Sequence, residues 1–263
     1  MGRLVFVTST EAYSASAILF IFSYRADESH LPAGRQGISA QLVSAYPGAA
    51  SPDRYKQTQS INFMVENWIK EEHPNWYKDV SPMRCLILGS FPPHPGKWAY
   101  PFFYPNGQNR FWRILADLAG QPLQWTKVDK VMAVEERYKI MKKLKIGVQN
   151  LGLEIERNGK SALDTHIRIN KYQDIISIIE SHPELRRILL PGYSAINSTA
   201  RSFIKYIQQK NIEASAIDQV KPEALFKIQF KGRSIDCVVL NSTSTASRVK
   251  YDFLLEQFRR NLK

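Results

Sequence analysis

The sequence predicts a three-layer α/β fold, in which helices cover both faces of a central, mainly parallel sheet of about four strands. Three observations predict it. Short apolar runs recur along the later part of the 263-residue chain. Each run ends in residues typical of loops, such as Gly, Pro, Ser and Thr. Segments with the spacing of amphipathic helices separate the runs, and this alternation is typical of a parallel sheet covered on both faces.

Four apolar runs are the predicted strands. They lie at residues 83–89, 145–153, 184–193 and 233–244. The first, MRCLILG, stops at Ser-Phe-Pro-Pro, and the last runs into a segment rich in Ser and Thr. Ligands bind beyond the carboxyl ends of the strands in folds of this kind, so the loops that follow these runs are where a site is expected.

Five segments have the pattern of helices. They lie at residues 64–73, 109–118, 172–182, 194–209 and 250–262. In the second and third of these segments, apolar residues recur at the spacing that places them on one helix face. The closing segment is basic, which makes it a candidate for contact with an acidic partner.

The first 63 residues differ from the rest in composition and charge. They hold five basic and four acidic residues, a net charge of +1, so residues 64–263 carry +11 of the total +12. Residues 26–60 are rich in Gly, Pro, Ser, Ala and Gln and lack sustained periodicity, as linkers and disordered segments do. We therefore predict a poorly ordered N-terminal extension at 1–63 and a functional domain at 64–263.

The composition limits the class of protein. A net charge of +12 and a pI of about 9.6 suit a polyanionic partner such as nucleic acid, although a merely basic soluble protein has the same balance. No apolar run is long enough to cross a membrane, and the apolar stretch at 14–24 lacks the flanks of a signal peptide. Two isolated cysteines, Cys85 and Cys237, suit neither a thiolate metal site nor a disulfide scaffold. These observations predict a cytoplasmic protein without a membrane partner or a metal.

Three ordered motifs resemble a known family. They are LILGSFPP at 86–93, FYPNGQNRFW at 103–112 and VVLNSTSTASRV at 238–249. This set is similar in order and spacing to the mismatch-specific uracil/thymine-DNA glycosylases and to the hypoxanthine-DNA glycosylase branch of the uracil-DNA glycosylase superfamily. The resemblance spans residues 83–263. It implies a monofunctional hydrolase of base excision repair, a monomer without cofactor, that binds damaged or mismatched DNA and removes a flipped deaminated base.

The resemblance places the reaction in the first two motifs. Gly89, Ser90 and Phe91 correspond to the loop beside the flipped nucleotide, where the mismatch-specific enzymes have a water-positioning Asn in place of Phe91. The hypoxanthine branch also lacks that Asn, and its catalytic Asn corresponds to Asn109. An amide both donates and accepts hydrogen bonds, as contact with water or a base requires. The alternative for Asn109 is a helix N-terminal cap.

The resemblance also assigns the base pocket and the contact with DNA. Tyr104 corresponds to an aromatic residue that stacks on the extruded base, although Phe102 or Phe103 could do so instead. Asn150 corresponds to an Asn that reads the polar edge of uracil. The loop implied to clasp phosphates and to enter the gap left by the base comprises Ser242, Thr243, Ser244, Thr245, Ala246, Ser247 and Arg248. Relatives have prolines in this loop and this sequence has none.

Two other functions fit parts of the sequence. A non-catalytic binder of damaged DNA would keep the fold and the basic surface, and Phe91 in place of Asn favours it. A hydrolase of free nucleosides would need a carboxylate cluster, which the motifs lack. The motifs leave open which base is removed and whether double- or single-stranded DNA is preferred.

Overall fold

The computed structural model describes residues 38–41, 60–63, 68–161, 164–193, 198–217 and 219–262. The chain divides into two units, residues 1–67 and 68–263. In the first unit, strands β1 (Ile38–Gln41) and β2 (Ser60–Phe63) pair antiparallel. Most of the predicted extension at 1–63 lies outside the described residues, so its disorder and the domain boundary stay predictions.

The second unit contains the strands and helices that carry the three motifs. In chain order they are β3 (Trp68–Glu72), β4 (Cys85–Gly89), α1 (Phe111–Ala119), α2 (Lys130–Leu144), β5 (Ile146–Asn150), β6 (Gly152–Asn158), β7 (Ile167–Tyr172), α3 (Ile175–Ser181), β8 (Arg187–Pro191), α4 (Thr199–Gln209), β9 (Leu225–Phe230), β10 (Arg233–Leu240) and α5 (Tyr251–Asn261). Two short 3-10 helices lie at Pro95–Lys97 and Asp164–His166.

The central sheet has the strand order β5-β4-β8-β10-β9. Its first four strands are parallel and are the four predicted from apolar runs. The fifth, β9, pairs antiparallel with β10 at the edge, and its residues alternate between exposed and buried. The mainly parallel α/β sheet is therefore confirmed, with one additional edge strand that shows the alternation typical of a half-covered edge.

Helices cover both faces of this sheet. On one face Cys85 and Ile87 of β4 join the apolar cluster formed with α1, α2 and α5. On the other face Leu86 and Leu88 join the cluster formed with α3 and α4. Successive residues of a strand point to opposite faces, so the continuous apolar run of β4 fills both interfaces and produces the three layers. No helix in the described part of the chain is long and apolar enough to cross a membrane.

The predicted helix at 64–73 is wrong where the structure describes it. Residues 68–72 form strand β3 at the edge of a three-stranded antiparallel sheet with the order β3-β6-β7. The helical preference of Lys and Glu in WIKEE is overridden by pairing with β6, more than 80 residues away. The predicted helix at 172–182 is shorter than expected, because Tyr172 ends β7 and α3 begins at Ile175.

A buried arginine joins this smaller sheet to the first motif. Arg157 of β6 is fully buried, and its Nε and Nη2 donate to the two carboxylate oxygens of Glu71 at 2.8 and 3.1 Å. The same guanidinium donates to the carbonyl oxygens of Ser161 and Pro92 at 2.8 and 2.6 Å. Pro92 belongs to the loop after β4, so Arg157 fixes that loop against the smaller sheet.

Replacing Arg157 should destabilise the fold strongly. Arg157→Met leaves the Glu71 carboxylate and two carbonyl oxygens without their donor, and loss of one partner of a buried ion pair costs about 3–5 kcal/mol. Urea denaturation of the full chain measures this loss. The matched control is Lys171→Met, which removes an exposed ion pair with Glu154 on the same sheet and should cost at most about 1 kcal/mol. Equal losses in the two variants would contradict the assigned role of Arg157.

Candidate functional site

The candidate site is a cavity of about 200 Å³ at the carboxyl ends of the parallel strands. Gly89 ends β4, Asn150 ends β5 and Pro191 ends β8, and all three line the cavity. The segment after β10 contributes residues 242–244 to the same wall. The cavity therefore lies where ligands bind in open α/β sheets.

This cavity brings together residues from all three motifs. Of the predicted site residues, its lining includes Gly89, Ser90, Phe91, Tyr104, Asn109, Asn150, Ser242, Thr243 and Ser244. The other four predicted loop residues, Thr245, Ala246, Ser247 and Arg248, do not line it, and three of them (Thr245, Ala246 and Arg248) are exposed. Pro93, Asn106 and Thr199 also line the cavity, and none of these was a predicted site residue.

The end of β4 approaches the end of β5 closely. Gly89 and Asn150 are register partners, and a Cβ at Gly89 would lie 2.5 Å from the Asn150 amide nitrogen. It would also lie 3.5 Å from the Tyr104 hydroxyl oxygen. A side chain at position 89 would therefore displace the Asn150 amide, so glycine is required here by close approach.

His73 contacts this site and was missed by the sequence analysis. It follows β3, is buried, and its Nε2 lies 3.1 Å from Asn150 Oδ1. Its Nδ1 accepts the backbone N–H of Asn75 at 3.2 Å. Burial lowers the pKa of His73, and the hydrogen bond with Asn150 opposes that shift. No local signal marked this residue, since a single His beside acidic residues is common and its partner lies 77 positions away.

The buried His73 predicts a pH-dependent stability. Because its pKa is lowered, His73 stays neutral in the folded chain while the unfolded chain binds a proton below about pH 6.5. The unfolded state therefore binds more protons, and the free energy of unfolding should fall as the pH drops from 7 to 5. His73→Gln should make this fall smaller, while the other four histidines stay unchanged. Denaturant titrations across this range test it, and parallel curves for the two proteins would contradict it.

Phe91 and Tyr104 supply the aromatic part of the lining. Phe91 is buried, and its ring meets the His73 ring edge-on at 5.7 Å between centroids. The Tyr104 ring is stacked on Phe111 at 3.7 Å. Phe102 and Phe103 are buried in the core and do not line the cavity. Of these four aromatic residues, Phe91 and Tyr104 line it, and stacking of a base on any of them stays a prediction.

Asn109 both lines the cavity and caps the first helix. Its Oδ1 accepts the backbone N–H of Phe111 at 2.9 Å, which satisfies a donor at the start of α1. Arg110 is the N-cap residue of α1 and forms no side-chain cap, so Asn109 supplies a capping hydrogen bond from one position earlier. Within the described residues the amide nitrogen of Asn109 forms no further hydrogen bond, so its two N–H donors are available to a ligand.

Arg110 connects the second motif to the third. Its guanidinium donates to the carbonyl oxygens of Val249 and Ser244 at 2.6 Å each, and to those of Ser247 and Thr243 at 3.2 and 3.3 Å. In the sequence Arg110 is visible only as part of the second motif, and nothing local indicates these contacts with a loop more than 130 residues away. Arg110 holds the loop with carbonyl oxygens turned inward, toward α1.

Serine side chains shape the same loop from within. The hydroxyl oxygens of Ser242, Ser244 and Ser247 accept the backbone N–H groups of Ser244, Ala246 and Val249, each two residues ahead. These are local turns typical of Ser. Each hydroxyl keeps its own proton, so the loop still offers O–H donors to an anion.

Loss of Arg110 should loosen this loop. Arg110→Met removes four hydrogen bonds from a charged donor, and we expect the free energy of unfolding to fall by about 1.5–3 kcal/mol. Hydrogen exchange should become faster at the amides of Ser247 and Val249. The control is Arg113→Met, one turn along the helix, where the guanidinium is 4.3 Å from the Tyr251 ring centroid. Unchanged exchange in Arg110→Met would mean that the loop holds its shape without this anchor.

The electrostatics of the cavity are neutral and polar. Among the described residues that line it, none is an Asp, Glu, Lys, His or Cys. The part of the chain that the structure describes also holds no cluster of three or more His, Cys, Asp or Glu suited to a metal ion. The polar groups offered to a ligand are therefore the amides, hydroxyls and backbone groups.

Comparison with known proteins gives one structural likeness. No family model matches the chain, and no curated protein matches it. Its fold is similar to that of a protein from Methanosarcina acetivorans, solved by NMR in solution, which carries a provisional description as a uracil DNA glycosylase. The identity is 22%, the match covers 69% of this chain and 92% of that one, and the TM-score is 0.45.

Proposed function

We propose that this chain is a monofunctional DNA glycosylase of base excision repair, which hydrolyses the N-glycosidic bond of a deaminated base flipped out of DNA. The observation that carries the proposal is a cavity at the carboxyl edge of the sheet that is lined by residues of all three motifs. These motifs are the ones that resemble the uracil-DNA glycosylase superfamily. Uracil, hypoxanthine and mismatched thymine are the proposed bases.

The size and lining of the cavity suit one nucleobase. Its volume of about 200 Å³ is below the roughly 300–1,000 Å³ of sites for drug-sized ligands. Phe91 and Tyr104 offer ring faces or edges, and stacking on an aromatic ring is worth about 1–3 kcal/mol per base. The amides of Asn109 and Asn150 offer N–H donors to the carbonyl oxygens of a deaminated base.

The proposed reaction uses no acidic side chain, because none is found in the described lining of the cavity. The electron pair of the C1′–N bond leaves with the base, the oxygen of water adds to C1′, and a proton from water ends on the base. With no carboxylate in the described lining, the main aid is hydrogen-bond donors aimed at the charge that develops on the base. No lysine lines the described cavity, which favours water over an amine as nucleophile.

The loop after β10 is the proposed contact with DNA. Residues 242–244 line the cavity, while Thr245, Ala246 and Arg248 are exposed beside it. Hydroxyls of the inner part suit phosphates next to the lesion, and a small apolar or cationic residue is a usual wedge into the duplex. The net charge of +12 adds general attraction to the phosphate backbone.

The proposed activity is tested by a screen of damaged bases. The full chain is incubated with duplex and single-stranded DNA containing uracil, hypoxanthine or thymine opposite guanine, and abasic sites are revealed by alkaline cleavage. We expect release of at least one of these bases. A second candidate is a non-catalytic damage binder, which is favoured by Phe91, whose side chain brings no polar atom to the position of the usual water-binding Asn. Lesion-selective binding without any base release would establish that alternative and overturn the proposal.

Two substitutions of Asn109 should separate its role in catalysis from its role as a helix cap. Asn109→Ala removes both the cap and the donors, and we expect single-turnover base release to fall by about two orders of magnitude or more. Asn109→Asp keeps an oxygen that can accept the Phe111 N–H but lacks the donors, so its melting temperature should stay near the wild-type value while base release is lost. If Asn109→Asp releases the base at the wild-type rate, the donors are not needed and Asn109 is only a cap.

A further inference from the structure

The amide of Asn150 can present either of its ends to the cavity. Its oxygen accepts hydrogen bonds and its nitrogen donates them, and the two ends have nearly the same shape. The orientation decides which ligand atoms are favoured, because an exposed nitrogen selects an acceptor and an exposed oxygen selects a donor. The neighbours of Asn150 therefore determine what the cavity recognises.

On one side of Asn150, His73 acts only as a donor. The backbone N–H of Asn75 lies 3.2 Å from His73 Nδ1, and a backbone N–H can only donate, so Nδ1 is the acceptor. The single ring proton of the neutral imidazole is then on Nε2. This Nε2–H lies 3.1 Å from Asn150 Oδ1 and donates to it. The backbone N–H of Asn75 thus sets the tautomer of His73, and that tautomer sets the orientation of the Asn150 amide.

The amide nitrogen of Asn150 lies close to Gly89, in the wall of the cavity. This nitrogen would be 2.5 Å from a Cβ at Gly89, and both residues line the cavity. His73 itself is held among the rings of Trp76, Phe91 and Phe103, with centroids 5.7 to 6.0 Å away. These apolar neighbours give its Nε2–H no competing acceptor, and His73 does not line the cavity.

We propose that His73 is a positioning residue that locks the Asn150 amide with its nitrogen toward the cavity, so that the site favours a base with a carbonyl oxygen at that edge over its amino counterpart. The inference rests on the proposed glycosylase function and adds a determinant of its specificity. A flipped amide would place N–H against N–H at His73 and lose the hydrogen bond. An amino group on the base would likewise meet a donor, and sites built to pair one polar group discriminate strongly against its opposite.

Three variants test this role in the full chain. His73→Leu removes the donor, while His73→Gln keeps a terminal N–H donor that can reach Asn150. His182→Leu is the matched control, since His182 is also a buried histidine but its Nε2 lies 2.9 Å from Asp79 Oδ1 rather than beside Asn150. Single-turnover release is measured for uracil and hypoxanthine and for their amino counterparts, cytosine and adenine. Melting temperatures are recorded for each variant, so that loss of stability is separated from loss of orientation.

The expected result is a change in selectivity. His73→Leu should lower the release of the preferred carbonyl base by about tenfold, the scale of one hydrogen bond, and should narrow its advantage over the amino counterpart. His73→Gln should recover most of the release rate and most of the selectivity. His182→Leu should lower the melting temperature and leave the selectivity unchanged. Wild-type selectivity in His73→Leu, or an equal loss of selectivity in His182→Leu, would overturn the proposal.

A second measurement does not depend on catalysis. Nitrogen-15 NMR of the full chain reports which ring nitrogen of His73 carries the proton, and the Asn150 side-chain amide signals report contact with added free bases. We expect a protonated Nε2, and shifts of the Asn150 amide with uracil or hypoxanthine that exceed those with cytosine or adenine. A proton on Nδ1, or equal shifts, would overturn the role of His73. Absence of base release by the wild-type chain would instead overturn only the proposed glycosylase function.

Discussion

The register between β4 and β5 is the constraint on which the rest of the site depends. It sets Gly89 opposite Asn150 at the carboxyl edge of the sheet. The pairing continues beyond the strands, since the N–H groups of Leu151 and Gly152 donate to the carbonyl oxygens of Gly89 and Ser90 at 2.8 and 3.0 Å. The first motif is thus held as an extension of the sheet. A shift of one residue would separate Gly89 from Asn150, and the space that the glycine leaves for the Asn150 amide would be lost.

Two arginines hold the remaining walls by contacts with backbone carbonyls. Arg157 fixes the loop after β4 through Pro92, and Arg110 fixes the loop after β10 through four carbonyl oxygens. A planar guanidinium suits this task, because its five donors reach several acceptors from one fixed plane. The loop at 242–248 contains no proline to stiffen its backbone. The Arg110 contacts give that segment a separate source of rigidity.

The parallel sheet could be predicted because each strand is buried on both faces and therefore consists of an unbroken apolar run. The cavity followed from the rule that such strands carry sites at their carboxyl ends. Helix α2 was missed because Glu136 and Arg137 are buried among its apolar residues and obscure the amphipathic pattern. Strand β3 was misread because Glu71 is paired with Arg157, a partner that no local window contains. His73 was missed for the same reason, and with it the factor that orients Asn150. Apolar periodicity is visible in the sequence, whereas the long-range pairing of polar groups leaves no local pattern.

In the proposed function, one cavity receives a flipped base and Asn150 binds the carbonyl edge of that base. A crystal structure of the full chain with a uracil- or hypoxanthine-containing duplex tests this most directly, with a 2′-fluorine on the target sugar to slow bond breaking. We expect the base inside the cavity, with a carbonyl oxygen about 3 Å from Asn150 Nδ2. We also expect that the His73–Asn150 hydrogen bond is kept and that residues 242–248 lie against the flanking phosphates. A base that stays stacked in the duplex, or a cavity that stays empty while DNA binds elsewhere on the chain, would contradict the proposed function.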